Sequence, residues 1–250
     1  MNLPPFEAAK IRAVLLDIEG TTTPIDFVAG TLFPYAAGNV DAFLDRHGDE
    51  IEIKQILDDL QHQHGLDAAG NSALPPWEQA ASQLNVPAAA NYVRWLIARD
   101  SKVTPLKTLQ GKIWEEGYRR GQLKGQVYAD VPSALARWKS QGRRVAIFSS
   151  GSVLAQRLLF RNSDAGDLSA YIEAYFDTTT GPKREPSSYH KIAAMLRVAE
   201  DRILFISDVI AELDAAREAG MVTLQSLRPG IPSSPESVHA AVRDFAALFA

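Results

Sequence analysis

The chain has 250 residues, 46% of them apolar and 22% charged, which allows one large domain or a core with a smaller partner. A formal charge of −4 leaves no basic footprint for nucleic acid, and the lack of cysteine removes disulfides, thiolate metal sites and thiol nucleophiles together. No stretch approaches the roughly 20 apolar residues of a membrane span. The first twelve residues are broken by Pro4, Pro5, Glu7 and Lys10 rather than signal-like, so a cytoplasmic protein is expected.

In chain order, Ala13-Val14-Leu15-Leu16 is the first apolar run, and it ends on Asp17. Residues 26–126 then read almost entirely as helix. Phe33, Ala36, Ala37, Val40, Phe43 and Leu44 keep three-and-four spacing, as do Ile53, Ile56, Leu57 and Leu60. Tyr92, Leu96 and Ile97 make a third face, and Leu106, Leu109, Ile113 and Trp114 a fourth, with the polar segment 65–76 as a loop. Val145-Ala146-Ile147-Phe148 runs into Ser149-Ser150-Gly151-Ser152, and Ile203-Leu204-Phe205-Ile206 runs into Ser207-Asp208. A fourth run, Met221 to Leu224, follows a helical pattern stopped by Gly220.

Continuous apolar runs alternating with helices predict an α/β fold: a doubly wound parallel sheet, buried on both faces, with ligands at the carboxyl ends of its strands. Residues 8–25 and 127–230 form that core in this reading, and 26–126 form an inserted all-helical cap domain. Residues 231–250 are expected to be a connector and a short amphipathic helix bearing Val238, Val242, Phe245 and Phe249.

Four clusters carry chemistry. Asp17 and Glu19, two apart and followed by Gly20-Thr21, suit phosphoryl transfer through a carboxylate nucleophile with a second carboxylate as acid and base. The bland reading is a capping Asp and a solvated Glu. Ser149 and Ser150 open a helix, where hydroxyls and free N–H groups cradle phosphate, although a serine there is commonly an N-cap. Lys183, in a turn before another helix, is placed to neutralise a phosphoryl oxygen; a loop lysine is usually just solvated. Asp208, with Glu212 four residues on, offers oxygen ligands to a hard cation such as Mg²⁺, or else caps its helix.

Acid pair, hydroxyl, lysine and acid in that order resemble the four motifs of the haloacid dehalogenase-like superfamily, from Ala13 to about Gly230. The resemblance implies Asp17 as nucleophile, Ser149 and Ser150 as phosphate ligands, Lys183 as charge stabiliser and Asp208 as a magnesium ligand. Glu19 stands where most phosphatases of the superfamily have Asp. Asp17-Ile18-Glu19-Gly20-Thr21-Thr22-Thr23-Pro24-Ile25 is closer to the enolase-phosphatases (acireductone synthases) of methionine salvage. So are Lys102-Val103-Thr104-Pro105-Leu106-Lys107, Leu109-Gln110-Gly111, Phe176-Asp177-Thr178, Ser188-Tyr189-His190-Lys191-Ile192 and Arg228-Pro229-Gly230. Ile231 departs from the Asn expected after that last tripeptide.

That family implies one Mg²⁺ per chain, held by Asp17, Glu19 and Asp208, with Glu19 contributing either its side chain or its carbonyl. It implies a monomer acting on a small phosphorylated molecule, 2,3-diketo-5-methylthiopentyl-1-phosphate, with neither nucleic acid nor membrane as partner. The alternative is a related phosphatase acting on a sugar or glycolate phosphate.

Overall fold

The computed structural model describes residues 7–68, 73–77, 85–230 and 238–250. The chain forms two compact units, Met1–Phe27 with Lys124–Ala250, and Val28–Leu123. The first holds six strands: β1 (Ala13–Leu16), β2 (Arg144–Phe148), β3 (Ala174–Phe176), β4 (Ile203–Ser207), β5 (Val222–Ser226) and β6 (Ala240–Val242). All pair in parallel, in the order β3-β2-β1-β4-β5-β6. The chain winds outward from β1 to β3, then returns to the other side of β1 as β4. The strand order therefore reverses at β1 and β4, where doubly wound sheets hold their ligands.

Burial explains the pairing. Every residue of β1 is fully buried. Ala13 and Leu15 join Phe148 and Phe205 in one core with Tyr189, Ile192 and Leu196 of the helix Pro186–Leu196 and Leu213 and Ala216 of the helix Ile210–Glu218. Val14 and Leu16 alternate to the opposite face and are equally buried. Such a strand has no solvent face, which accounts for the continuous apolar run. β3 escaped the sequence reading because three residues carry no period, and β5 starts one residue later than the apolar run.

The second unit contains the helices Phe33–His47, Ile51–Asp67, Val86–Ala98 and Thr104–Arg119. Proline in the first turn of three of them supplies a preset φ where no N–H is needed. The loop expected from residue 65 begins later, because Gly65 is helical and Tyr92 Oη bonds Asp67 at 2.7 Å in the last turn. Part of that loop, 69–72, lies outside the described residues. Among the described residues, no helix is long and apolar enough to cross a membrane.

The C-terminal segment corrects the sequence reading. The expected connector falls largely on 231–237, outside the described residues, and the expected short helix does not form. Ala240–Val242 instead pairs with β5, and Leu227 N–H donates to the Val242 carbonyl at 2.8 Å. An open sheet edge has unpaired backbone groups to satisfy, and that demand overrides a marginal helical period. Phe245 and Phe249 pack on Trp138 at ring separations of 5.5 and 6.1 Å, and Trp138 Nε1 and Arg137 bond the Leu248 carbonyl at 3.1 and 3.0 Å.

One close approach fixes the crossing before β2. Gly125 exchanges backbone bonds with Asn162 and Asp164 at 2.8 and 2.7 Å, and a Cβ on it would lie 2.3 Å from the Leu159 carbonyl oxygen. Gly125→Ala is expected to cost about 2 kcal/mol by overpacking. At about 2–4 °C per kcal/mol for a chain of this size, the Tm falls by roughly 4–8 °C. A thermal melt that does not move would refute the contact.

Candidate active site

Asp17 leaves β1 with its N–H still bonded to the Ile206 carbonyl of β4 at 3.0 Å, and it is buried. The chain then turns sharply. The Ile18 carbonyl accepts from the N–H groups of Thr21, Thr22 and Thr23 at 3.2, 2.9 and 2.9 Å, and Gly20 N–H reaches the Thr23 carbonyl at 2.8 Å. Gly20 has φ +67°, a left-handed conformation that costs a side-chain-bearing residue energy. Thr22 Oγ1 adds a bond to the Asp17 carbonyl at 3.2 Å. The turn exposes the Glu19 side chain while Thr21, Thr22 and Thr23 are buried.

Lys183 approaches from the turn before the helix Pro186–Leu196, its carbonyl held by Tyr189 Oη at 2.7 Å. Its Nζ lies 2.6 Å from Asp17 Oδ1 and 2.7 Å from Glu212 Oε2, with both carboxylates and the ammonium buried. Ser207 Oγ donates to Glu212 Oε2 at 3.0 Å and sits 3.5 Å from Asp17 Oδ2. Burial pulls the Lys183 ammonium down, but Asp17 and Glu212 outweigh it and hold its pKa above the usual lysine value. One cation cannot neutralise two carboxylates. Burial and then the charge of Asp17 push Glu212 up to about 7, against the opposing pull of Lys183. Burial and Asp17 likewise push Asp208 up to about 6.

Ser149 and Ser150 follow β2, on the same carboxyl edge as Asp17 and Asp208, because Leu16 is in register with Ile147 and Ile206. Ser149 is buried, its N–H bonds the Phe176 carbonyl at 3.2 Å, and its Oγ accepts from Gly151 N–H at 3.3 Å. Capping of the helix Val153–Arg161 falls to Ser152, whose side chain accepts from Ala155 N–H. The bland reading of Ser149 and Ser150 as caps therefore fails. Asp177, after β3, braces this loop through Val153 N–H at 3.2 Å.

Of the two ways expected for Glu19 to join Asp17 and Asp208 at a magnesium ion, by its side chain or by its carbonyl, the side-chain set is not assembled. Among the described residues no three His, Cys, Asp or Glu side chains gather to hold a metal, and Glu19 is exposed by its turn. The all-oxygen pair Asp17 and Asp208 still fits Mg²⁺, which takes one or two carboxylates and completes its shell with phosphate oxygens and water. The raised carboxyls of Asp208 and Glu212 mark uncompensated negative charge that a cation would relieve. The sequence offers Glu212 beside Asp208 as an oxygen ligand but gives no sign of its contact with Lys183. The signal for Glu212 was an acid four residues after Asp208 in the first turn of a helix, where it folds back beneath the strand end.

A family model described as haloacid dehalogenase-like hydrolase matches residues 11–220. An enolase-phosphatase of Synechococcus elongatus is 53% identical over 221 residues, covering 88% of this chain and 90% of that one. An enolase-phosphatase of Drosophila virilis is 46% identical, covering 99% and 98%. The crystal structure of the UTR4 protein of Saccharomyces cerevisiae superposes with a TM-score of 0.78 at 34% identity, over 95% of this chain and 100% of that one. With matches of this extent the chain belongs to the haloacid dehalogenase-like hydrolases and, within them, to the enolase-phosphatases.

Proposed function

We propose that this phosphatase is a Mg²⁺-dependent bifunctional enolase-phosphatase. It converts 2,3-diketo-5-methylthiopentyl-1-phosphate to the acireductone and inorganic phosphate in methionine salvage, as a cytoplasmic monomer. The observation that carries the reading is the buried contact of Lys183 with Asp17 at the end of β1. Lys183 occupies Oδ1 of Asp17, which leaves Oδ2, 3.5 Å from Ser207 Oγ, as the oxygen to attack phosphorus.

Enolisation of the diketone comes first. Asp17 Oδ2 then forms a bond to phosphorus as the bond to the enol oxygen breaks, and Glu19 delivers a proton to the departing oxygen. Lys183 takes up charge on the transferring group, and Ser149 and Ser150 hold its oxygens. Glu19, now ionised, removes a proton from water that attacks the aspartyl-phosphate, releasing phosphate and restoring Asp17. A magnesium ion held by Asp17 and Asp208 would supply further screening of phosphoryl charge. Substrate selection falls to the helical segment 26–126, acting as a cap.

Asp17→Asn is nearly isosteric and a poor nucleophile, so phosphate release should fall at least about a thousandfold with the fold intact. The enol phosphate should accumulate, followed by its ultraviolet absorbance. Normal phosphate release from this variant would end the proposal. Wild-type protein should release phosphate from the diketo phosphate in preference to sugar phosphates and phosphoglycolate, and only with Mg²⁺ present. Equal turnover across that panel would favour the broader phosphatase reading.

The charge balance gives a further test. The folded Asp208 and Glu212 carboxyls lie above their ordinary range, so these two sites bind more protons in the folded than in the unfolded chain from about pH 4 to 7. In metal-free protein these groups therefore erode stability as pH rises through that window. Lys183→Met removes the cation facing them and should cost about 3–5 kcal/mol at pH 8, by leaving buried charge unpaired. The Tm gap to wild type in EDTA should be smaller at pH 5, where the carboxyls take up protons. A gap independent of pH would contradict the assignment.

A further inference from the structure

The turn that carries Glu19 is gripped along its backbone by a second group of residues. Three successive carbonyls are taken in order: Gly20 by Ser226 Oγ at 2.9 Å, Thr21 by Arg228 Nε at 2.9 Å, and Thr22 by Tyr128 N–H at 3.0 Å. Arg228 is the anchor. It is 3% exposed, and its guanidinium lies 4.3 and 4.4 Å from the ring centroids of Tyr128 and Phe245. Its Nη1 bonds Asp130 Oδ1 at 2.7 Å, and Asp130 Oδ2 accepts from Phe245 N–H at 2.7 Å.

A buried ion pair is a weak source of stability, and apolar residues of equal volume would fill the same space at least as well. What the arginine adds is geometry. Its planar fork, packed against two rings and bonded to Asp130, directs Nε at the Thr21 carbonyl with less freedom than a lysine would have. Thr21 lies two residues from Glu19, inside a turn closed by the bridge between Glu19 and Thr23. A shift at Thr21 therefore moves Glu19, whereas Asp17, although its carbonyl takes a bond from Thr22 Oγ1, keeps its N–H on β4 and its carboxylate on Lys183.

We propose that Arg228 is a positioning residue for proton transfer to the leaving group: through the Thr21 carbonyl it sets where Glu19 presents its carboxyl. The inference rests on the acid/base role given to Glu19 above. Arg228 touches neither substrate nor reacting atoms in this role, and attack by Asp17 on phosphorus does not depend on it.

Arg228→Lys keeps the charge and loses the fork. The test is kcat/KM of this variant, of Glu19→Gln and of wild type on phenyl phosphate and 4-nitrophenyl phosphate, with Mg²⁺. The nitrophenolate departs without a proton, and phenolate needs one. Because general acid catalysis contributes about 10²- to 10⁴-fold, Arg228→Lys should lose at least about tenfold on phenyl phosphate and less than about threefold on the nitro ester. KM should hardly change, and Glu19→Gln should show the same contrast more strongly. A contrast in Glu19→Gln with a uniform loss, or none, in Arg228→Lys overturns the positioning role alone. No contrast in Glu19→Gln overturns the acid/base reading and this inference with it. Should Arg228→Lys fail to fold, Asp130→Asn, which frees one side of the guanidinium, should give the same contrast at smaller size; a uniform loss there overturns the proposal.

Discussion

A single buried ammonium shared between two carboxylates governs this site. Lys183 Nζ is within 2.7 Å of both Asp17 and Glu212, and three chain segments far apart in sequence meet at that nitrogen. Ionised groups removed from water are tolerated only when paired and hydrogen-bonded. Asp17 at the end of β1, Glu212 in the helix after β4 and the turn bearing Lys183 are therefore mutually dependent. The pairing is also unequal, with more negative than positive charge. Asp208 and Glu212 accordingly resist ionisation, and an added cation has a reason to bind.

The sheet makes this meeting possible. Parallel pairing in register brings the ends of β1, β2 and β4 to one edge, so residues that follow Leu16, Phe148 and Ser207 become neighbours. Strands buried on both faces leave their carboxyl ends as the place for polar chemistry. The same edge is braced on both flanks: Asp177 and Ser152 hold the loop after β2, while Ser226 and Arg228, after β5, hold the turn after β1. The C-terminal residues take part in this bracing. Phe245 packs against Arg228 and donates its N–H to Asp130, so a segment remote from the chemistry in sequence is tied to the turn that carries Glu19.

The helical unit has its own polar anchor, independent of the sheet. Glu116 is buried and accepts from Arg46 at 2.8 Å, Arg120 at 2.7 Å and His47 at 2.9 Å. Burial opposes its ionisation, but the bond from His47 and the two arginine charges prevail and hold its carboxyl below the usual range. Here the balance of charge runs opposite to that around Lys183, with cations in excess over one carboxylate. That is the pattern of a group kept ionised for structure rather than poised for proton transfer.

The sequence by itself determined what local pattern can carry. The continuous runs of β1, β2 and β4 announced buried parallel strands, three-and-four spacing announced the four helices of the second unit, and the order of Asp17, Ser149, Lys183 and Asp208 announced the family. Contacts between distant segments decided the rest. Glu212 read as an oxygen ligand beside Asp208, and only the fold sets it against Lys183. Whether Glu19 offers a metal its side chain or its carbonyl was open in the sequence, and Gly20 turns the chain so that the side chain is exposed. The tail bearing Val238, Val242, Phe245 and Phe249 carried a helical period. Pairing along an open sheet edge outweighs a short isolated helix, and that competition is not visible until β5 is in place.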